Sequence, residues 1–418
     1  MAELIVQKFG GTSVANLERL RNVMRIVIET RRQGYDVVVV LSAMSGETDR
    51  LINLAKAAVG EPDPREYDAL VSIGEQCSIA LLSMMLLDQG YPAKSMSGAQ
   101  AGIVTDTIHR KAHIEEIQTE MIWQELRSGR IPVIAGFQGI TPEGDISTLG
   151  RGGSDTTAVA IAAAMQAKEC QIFTDVDGVY TSDPRVVPQA RRMASITLEE
   201  MLEMASLGAK VLQNRSVIFA GKYKVPLRVL SSFTPGPGTL ITYEDITMEK
   251  PLVSGIAFNR SEARLTLFGV PATANVPSQI LGPLAEVNID IDMILQNPGE
   301  GNTVNFTFTV NREDYQRATN ILEHIAQKLS AKEVTGDNKI AKVSIIGVGM
   351  RSHAGVANTV FSTLAQEGIA VQLITTSEIK ISVVIDEKYL ELAARSLHTV
   401  FGLDNELREE FDPVSTLV

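Results

Sequence analysis

Apolar runs that alternate with helix-like stretches constrain the first 245 residues more than any other feature. The runs at 36–43 (DVVVVLSA), 131–137 (IPVIAGF) and 170–176 (CQIFTDV) are continuously apolar, as strands buried on both faces are. Helical patterns separate the strands at 75–89, 114–128 and 155–167, and the last strand is expected at 225–232, before a loop at 234–239. This alternation predicts an α/β domain over residues 1–245, a mostly parallel sheet with helices on both faces.

The composition narrows the class of protein. A chain of 418 residues with 44% hydrophobic and 21% charged residues is typical of a globular protein of two to four domains. A net charge of −12 disfavours binding to nucleic acid or to an anionic membrane. Two cysteines, Cys77 and Cys170, build neither a disulfide framework nor a thiolate metal cluster. No apolar run is long enough to span a bilayer and no signal peptide precedes the first strand, so we expect a cytoplasmic protein.

After residue 250 the pattern changes to a repeat. The order strand, helix, strand, strand, helix occurs twice with a period of about 80 residues. The first copy has strands at 263–270, 289–296 and 303–310 and helices at 276–287 and 313–330; the second has strands at 342–350, 369–377 and 380–386 and helices at 354–367 and 387–401. This order predicts two ferredoxin-like βαββαβ units.

The strand count of the repeat predicts an insertion. The first unit has a fourth strand at 331–337, but the acidic tail 403–418 offers the second unit none. An unused strand, 251–258, precedes the first unit. We therefore expect 251–258 and 340–418 to form the second unit, with 261–337 inserted between them.

The stretch IVQKFGGTSV (5–14) indicates an anion site. A strand ends at Lys8-Phe9, Gly10 and Gly11 form a flexible turn with Thr12 and Ser13, and an amphipathic helix follows with Asn16 as its cap. Glycines let backbone N–H groups approach an anion, and Lys8 adds a full positive charge. An ordinary strand–loop–helix joint explains this stretch alone equally well.

Further polar clusters occur where the predicted strands end. They are residues 42–50 (SAMSGETDR), 72–76 (SIGEQ), 136–139 (GFQG), 148–157 (TLGRGGSDTT), 174–185 (TDVDGVYTSDPR) and 207–216 (LGAKVLQNRS). Each has a simpler explanation as a turn, a cap or a surface charge. Together at one sheet edge, Lys8, Arg151 and Lys210 with Glu75, Asp155 and Asp175 suit a polyanion and a zwitterion.

Several chemistries are excluded by missing motifs. The chain has no G-x-x-x-x-G-K-[ST] loop, no H-R-D or D-F-G set, and no G-x-G-x-x-G that opens a helix. His109 and His113 of HRKAH lie four residues apart, but no metalloprotease glutamate follows His109, so a solvated pair explains them better than zinc.

The motifs KFGGTS (8–13), GRGGSDTTA (150–158) and FTDVDGVYTSDPR (173–185) resemble the signatures of the aspartate kinase family, within the amino-acid-kinase superfamily. The repeated units resemble its two ACT domains, with LQN (295–297), GVGMRSHAGVA (347–357) and TSEIKIS (376–382) as matching motifs. The resemblance covers essentially the whole chain, and it is to the monofunctional form. It implies phosphorylation of the side-chain carboxylate of L-aspartate by MgATP, the first step towards lysine, threonine and methionine.

The resemblance also implies roles for single residues. Lys8 and Asp155 are the catalytic pair, with Lys8 at the transferring phosphoryl group and Asp155 orienting it. The residues implied to bind aspartate are Thr48, Glu75 (its ammonium group), Phe137, Arg151 (a carboxylate), Gly152, Gly153 and Ser154. Those implied to bind ATP are Lys8, Phe9, Gly10, Gly11, Ser13, Thr174, Asp175, Tyr180, Thr181, Ser182, Asp183, Pro184, Arg185 and Lys210. Mg²⁺ is expected to be held by the phosphates, with no protein metal site.

Regulation is the last implication of the resemblance. Lysine, threonine or both are expected to inhibit through the ACT units of an oligomer of identical chains, with a separate regulatory chain starting at Met248 as a further option. The implied effector residues are Asp290, Ile291, Asp292, Gln296, Ala357, Asn358, Val371, Ser377 and Glu378. One departure is Ala272, which stands where relatives carry an acidic residue, so an effector ammonium group loses one carboxylate partner. The alternatives are a kinase of another small carboxylate and a non-catalytic amino-acid sensor.

Overall fold

The computed structural model describes residues 2–206, 212–243, 252–352 and 355–405. The chain divides into two compact units. The first unit comprises the chain up to Tyr180, Arg192–Ser206, and the described residues 212–243. The second unit comprises Thr181–Arg191 and the described residues from 252 onwards.

The first unit is built on two sheets. In chain order its strands are β1 (Leu4–Phe9), β2 (Asp36–Leu41), β3 (Ala93–Met96), β4 (Ile103–Thr105), β5 (Ile114–Ile117), β6 (Ile131–Ala135), β7 (Gln138–Ile140), β8 (Ile146–Thr148), β9 (Glu169–Thr174), β10 (Ser195–Thr197), β11 (Leu227–Ser231) and β12 (Thr239–Thr242). The main sheet has the order β10-β12-β11-β9-β1-β2-β6-β3, and a small sheet has the order β5-β4-β7-β8. Since β1, β2, β6, β9 and β11 run parallel, their carboxyl ends share one edge, which confirms the predicted α/β sheet.

The described part of this unit contains eight helices. They are α1 (Leu17–Arg32), α2 (Glu47–Ala58), α3 (Pro64–Val71), α4 (Ile73–Asp88), α5 (Glu120–Arg127), α6 (Gly153–Ala164), α7 (Leu198–Ser206) and α8 (Asn214–Tyr223). Side chains cap α1, α3 and α7. Asn16 Oδ1 accepts the Arg19 N–H at 3.0 Å, which confirms the predicted cap of α1. Thr197 and Glu200 form the reciprocal bonds of a capping box at α7. Apolar faces of α1 and α4 pack on β1, β2 and β6 to make the core.

Two predictions for this unit were wrong in detail. Residues 114–117 form β5 rather than the start of a helix, because Ile114 and Ile117 pair with β4 and leave α5 to begin at Glu120. Residues 225–232 are not the last strand either. The loop at 234–239 turns the chain back into β12, which pairs antiparallel with β11.

The second unit is a six-stranded antiparallel sheet with helices. Its strands are β13 (Gly255–Pro271), β14 (Ile291–Pro298), β15 (Thr303–Asn311), β16 (Glu333–Ile346), β17 (Val371–Thr376) and β18 (Lys380–Asp386). Its helices are α9 (Val276–Glu286), α10 (Tyr315–Leu329), α11 (Gly355–Gln366) and α12 (Leu390–Val400). The strand order is β14-β15-β13-β16-β18-β17, and the helices follow the predicted ferredoxin-like order.

Two long strands serve both ferredoxin-like halves of this sheet. Residues 255–259 of β13 pair with 342–346 of β16, whereas 264–268 pair with 333–337. The register shifts between these stretches at Asn259 and Glu262. The strand at 251–258 predicted from the strand count therefore pairs, from Gly255 onwards, with the second half. This pairing supports the inserted arrangement, and the boundaries 261–337 and 251–258 plus 340–418 are our proposal.

Each half has its own core. Ile256 packs with Val343, Val360 and Leu397, whereas Leu265 packs with Phe308 and other residues of the first half. The segment Thr181–Arg191 packs on the second half as well. Val186 and Val187 contact Ala394 of α12, and Arg395 Nε donates to the Val186 carbonyl at 2.7 Å.

Helices α3 and α4 together are long and apolar enough to cross a membrane by length and composition alone. Within this stretch, Pro64–Asp88, 50% of an apolar segment of 18 residues is buried. It carries the buried carboxylates Asp68 and Glu75, which hydrogen-bond to residues of the surrounding fold. The stretch is therefore a core element of the first unit.

We expect the two halves of β13 to respond to substitution separately. Ile256→Ala and Leu265→Ala each remove a buried side chain and should cost about 2–5 kcal/mol. Hydrogen–deuterium exchange should rise mainly in β18, α11 and α12 for Ile256→Ala, and mainly in β15 and α10 for Leu265→Ala. The same exchange pattern for both variants would contradict two cores on one strand.

Candidate active site

A buried ion pair joins the first strand to a helix start. Lys8 lies at the end of β1, and its Nζ is 2.5 Å from Asp155 Oδ1 in the first turn of α6. Both residues are only 8% exposed. The structure thus brings together the two residues predicted to be catalytic, although 147 residues separate them in the chain. A lysine held by one carboxylate keeps two further N–H donors for an anion.

The backbone around the start of α6 is shaped for this contact. Gly152 caps the helix at φ +72°, a left-handed conformation that favours glycine. A Cβ there would also lie 2.2 Å from Gln213 Cγ. Phe137 adopts φ +70° and is held by bonds from its N–H to Thr157 Oγ1 and from the Leu149 N–H to its carbonyl. Left-handed backbone at a residue other than glycine is a form of strain found at functional sites.

The loop after β1 supplies fewer free donors than the sequence indicates. The Gly10 N–H donates to the Phe173 carbonyl at 3.3 Å, and Ser13 Oγ lies 3.4 Å from the same oxygen. The Gly11 N–H has no partner among residues 2–206, 212–243, 252–352 and 355–405. Gly11 is therefore the glycine of this turn whose amide is free to donate to a ligand.

Glu75 is a buried carboxylate with a vacant acceptor. Its Oε1 accepts the Ala43 N–H at 3.1 Å, while Oε2 is buried and has no partner in the part of the chain that the structure describes. Gly74 allows this approach, because a Cβ at that position would lie 2.8 Å from Ala43 Cβ. Burial raises the pKa of Glu75 to about 7. A cation reaching Oε2 would lower that pKa again.

The other residues predicted to bind aspartate lie in the first turns of α2 and α6 or directly before α6. Arg151 is exposed, and its guanidinium has no ion-pair or hydrogen-bond partner among the described residues. Thr48 is half-buried in the first turn of α2, which follows β2. Gly153 and Ser154 are buried in the first turn of α6.

The residues predicted to bind the nucleotide divide between the units. Thr174 ends β9, and its hydroxyl donates to Asp175 Oδ1 at 3.1 Å. The Tyr180 hydroxyl donates to Asp177 Oδ1 at 2.9 Å. Thr181, Ser182, Asp183, Pro184 and Arg185 belong to the second unit, and Lys210 lies outside the described residues. Arg185 is exposed and pairs with Asp183 at 2.6 Å.

Thr181 is held firmly within the second unit. Its Oγ1 lies 2.9 Å from Nε2 of the fully buried His398 on α12, and its carbonyl accepts the Ile256 N–H at 2.7 Å. Burial lowers the pKa of His398, so the imidazole is neutral. Nothing in the sequence around His398 indicates this role, because its partner lies 217 residues earlier in the chain.

The predicted effector residues lie on the edge strands and α11. Asp290 precedes β14, and Ile291, Asp292 and Gln296 are on β14; Ala357 and Asn358 are on α11; Val371 begins β17, and Ser377 and Glu378 follow it. A cleft of about 230 Å³ brings Asp292 and Ser377 together, with Lys342 in its wall. Lys342 contacts Asp292 and lies 3.1 Å from Glu262 Oε1. Burial raises the pKa of Glu262.

The histidine prediction was half wrong. His113 is a mostly exposed partner of Asp106, at 2.8 Å, but His109 Nδ1 donates to the buried Asp68 at 3.0 Å. No group of three or more His, Cys, Asp or Glu side chains that could hold a metal occurs among the described residues.

Comparisons with known proteins show the family of this chain. A model of the amino acid kinase family matches residues 3–231, and an ACT domain model matches residues 343–401. The class is thus a phosphotransferase with an amino acid kinase domain and ACT units. The aspartate kinase of Pseudomonas putida is 62% identical over 97% of this chain and 99% of its own length, and the aspartokinase of Helicobacter pylori is 47% identical over 96% and 100%. The chain belongs to the aspartate kinase family.

Solved structures add ligands seen in a relative. Escherichia coli aspartokinase III in complex with aspartate and ADP is 28% identical, with a TM-score of 0.77 over 95% of this chain and 99% of that one. The same enzyme in complex with lysine and aspartate has a TM-score of 0.77 over 96% of this chain and 100% of that one.

Because Glu75 is buried and one of its oxygens has no partner among the described residues, we expect its ionisation at high pH to lower the free energy of unfolding. The folded-state pKa of about 7 lies above the ordinary value of 4.5, so the folded protein loses stability as the pH rises from 4.5 through 7. Glu75→Gln keeps the acceptor for Ala43 and removes the charge. We expect its melting temperature to exceed that of the unsubstituted protein by on the order of 5 °C at pH 8 and by little at pH 4.5. An equal difference at both pH values would contradict a raised pKa.

Proposed function

We propose that this aspartate kinase transfers the γ-phosphoryl group of MgATP to the side-chain carboxylate of L-aspartate, giving 4-phospho-L-aspartate. The product enters the biosynthesis of lysine, threonine and methionine. The observation that carries the proposal is the buried Lys8–Asp155 pair at the sheet edge where Glu75 keeps a vacant oxygen. The aspartate and ADP bound to the E. coli relative support it.

The mechanism needs positioning and charge rather than covalent chemistry. Phosphoryl transfer in line between two oxygens spreads negative charge over the transferring group. The Lys8 ammonium would lie against that charge, with Asp155 fixing the direction of its remaining N–H groups. The free Gly11 N–H would donate to a phosphate oxygen. Because Gly10 and Ser13 are already bonded to Phe173, we assign them to the shape of the loop.

The aspartate substrate would be held by opposite charges. Glu75 Oε2 suits the α-ammonium group, since a buried carboxylate oxygen without a partner is stabilised by a cation. The Arg151 guanidinium suits a carboxylate, which it binds with two parallel N–H groups. Thr48 would hydrogen-bond the substrate, and Phe137 with residues 152–154 would form the wall of the site.

The nucleotide would use the ends of β9 and the loop that follows. Thr174, Asp175 and Tyr180 supply polar groups in the first unit. Residues 181–185 and Lys210 complete the assignment from the sequence motif. The magnesium ion enters as part of MgATP, held mainly by phosphate oxygens.

Two alternative functions fit less well. A kinase of another small carboxylate would not need both an ammonium acceptor such as Glu75 and the free cation of Arg151. A non-catalytic sensor would not need the Lys8–Asp155 pair, which buries a charge beside an anion-binding turn. The 62% sequence identity with the aspartate kinase of Pseudomonas putida also favours an active aspartate kinase over both alternatives.

Regulation is proposed through the second unit. The lysine bound to the E. coli relative supports an amino-acid effector, lysine, threonine or both. The cleft of about 230 Å³ with Asp292 and Ser377 is large enough for one and offers a carboxylate and a hydroxyl. We further propose a homo-oligomer formed through the ACT units, a separate regulatory chain starting at Met248 as an option, and a cytoplasmic location, all predictions from the sequence.

The catalytic proposal is tested by ADP release in a coupled assay with a panel of amino acids. We expect release with L-aspartate in preference to L-glutamate and to free carboxylates such as acetate. Lys8→Ala should lower kcat by about 10²-fold or more, because one charge stabilising the transition state is lost. Glu75→Gln should raise KM for aspartate about tenfold or more and leave KM for MgATP nearly unchanged. Near-normal turnover of Lys8→Ala would remove the central role of Lys8.

The regulatory proposal is tested by inhibition curves with lysine, threonine and both together. An inhibitor must bind the inactive state more tightly, so losing its contacts weakens inhibition. Asp292→Asn and Ser377→Ala should each raise the half-inhibitory concentration by about tenfold without abolishing activity. Ser278→Ala, an exposed serine on α9 outside the cleft, is the control. Unchanged inhibition in both variants would place the effector elsewhere.

A further inference from the structure

Asp68 on α3 is a fully buried carboxylate that the proposed chemistry does not use. It is 0% exposed, and it accepts hydrogen bonds from three partners. The Thr148 hydroxyl donates to Oδ1 at 2.6 Å and the Thr148 N–H to Oδ2 at 3.0 Å. The Arg110 N–H donates to Oδ2 at 2.9 Å, and His109 Nδ1 does so at 3.0 Å. Such a set of donors compensates a buried negative charge.

These bonds fix one end of the loop that carries Arg151. Thr148 is the last residue of β8, three residues before Arg151. The Thr148 carbonyl accepts the Ala112 N–H at 2.9 Å, so the HRKAH segment is bound to the same strand end. Arg215 spans the two stretches, because its guanidinium donates to the carbonyls of Leu149 and Ala112, each at 2.7 Å. The loop 148–152 is therefore anchored at Thr148 and Leu149, whereas the guanidinium of Arg151 is exposed.

Asp68 is also coupled through its helix to Glu75. It lies seven residues before Glu75, and Ser72 alone separates α3 from α4. The Ser72 carbonyl accepts a bond from the Gln138 side chain at 2.8 Å, which ties this junction to β7. Glu75 in turn bonds the Ala43 N–H. A short stretch of chain thus holds both the loop of Arg151 and the buried carboxylate of Glu75.

We propose that Asp68 is a positioning residue for the amino-acid substrate. It fixes the loop of Arg151 relative to Glu75, and so sets the spacing between the groups that hold the substrate carboxylate and the substrate ammonium. This inference rests on the function proposed above. It also assigns a role to the HRKAH segment, because His109 and Arg110 of that segment donate hydrogen bonds to Asp68.

The charge of Asp68 is what this arrangement requires. Ionised, both oxygens only accept, and every group facing them is a donor. Asp68→Asn removes the negative charge shared by these donors: with its NH₂ at the Oδ2 position the Thr148 N–H loses its acceptor, and with its NH₂ at Oδ1 the Thr148 hydroxyl must turn and no longer donates to the side chain. The loop of Arg151 would then move away from α3, and aspartate would lose contacts that ATP does not make.

The experiment measures steady-state kinetics of the full-length enzyme and of Asp68→Asn, after confirming that the unsubstituted enzyme phosphorylates aspartate. We expect KM for aspartate to rise about tenfold or more, with KM for MgATP changed less than about twofold. Asp106→Asn is the matched control. Asp106 also accepts from a histidine of the HRKAH segment and from two backbone N–H groups, but it has no bond to Thr148. We expect both KM values of Asp106→Asn to stay within about twofold of the unsubstituted enzyme.

A second pair of variants covers the case in which Asp68→Asn does not fold. Thr148→Val removes the hydroxyl donor at nearly constant volume, and Thr148→Ser restores it. Thr148→Val should raise KM for aspartate severalfold, and Thr148→Ser should return it close to normal. Equal changes in both KM values, or a loss of stability with both KM values unchanged, would overturn the positioning role. Absence of aspartate phosphorylation in the unsubstituted enzyme would instead overturn the proposed function.

Discussion

The first unit depends on burying one positive charge at the end of its central strand. Lys8 is only 8% exposed, and the Asp155 carboxylate lies 2.5 Å from its Nζ. Removing one partner of such a pair costs about 3–5 kcal/mol. The position of α6 relative to β1 must therefore keep the two side chains in contact. The left-handed backbone of Gly152 and Phe137 and the start of α6 at Gly153 lie next to this pair in the chain or in the fold. Folding and the proposed catalysis therefore depend on the same two side chains.

The second unit joins two ferredoxin-like halves in one six-stranded sheet. Sharing β13 and β16 gives each half four strands from the described residues. The same half that takes residues 255–259 also holds Thr181–Arg191, through Thr181 and His398. The segment Thr181–Arg191 is thus packed on the core of the second unit.

Sequence reasoning succeeded where a local signal exists. The buried strands, the cap at Asn16, and the polar clusters at strand ends all leave a pattern within about ten residues. It failed for β5, because a four-residue edge strand with two glutamates has no helix-breaking residue. The continuous β13 was read as two strands, since the polar stretch 259–262 resembles a linker and instead holds the register shift.

The buried contacts that the sequence does not reveal share a physical reason. Asp68 bonds to residues 41 to 80 positions away, and His398 to one 217 positions away, so no spacing in the sequence reveals either contact. Conversely, Gly10 and Ser13 stand in a motif, yet their polar groups are bonded to Phe173. A motif identifies the loop, and only the hydrogen bonds tell which of its groups are free.

The most direct measurement of the central claim is a double-mutant cycle on kcat with Lys8→Met, Asp155→Asn and the combined variant. If Asp155 acts by orienting Lys8, removing it from an enzyme that already lacks Lys8 costs little. The account therefore predicts that the combined variant has nearly the kcat of Lys8→Met alone. Losses that multiply, so that the combined variant shows the product of the two single effects, would contradict it.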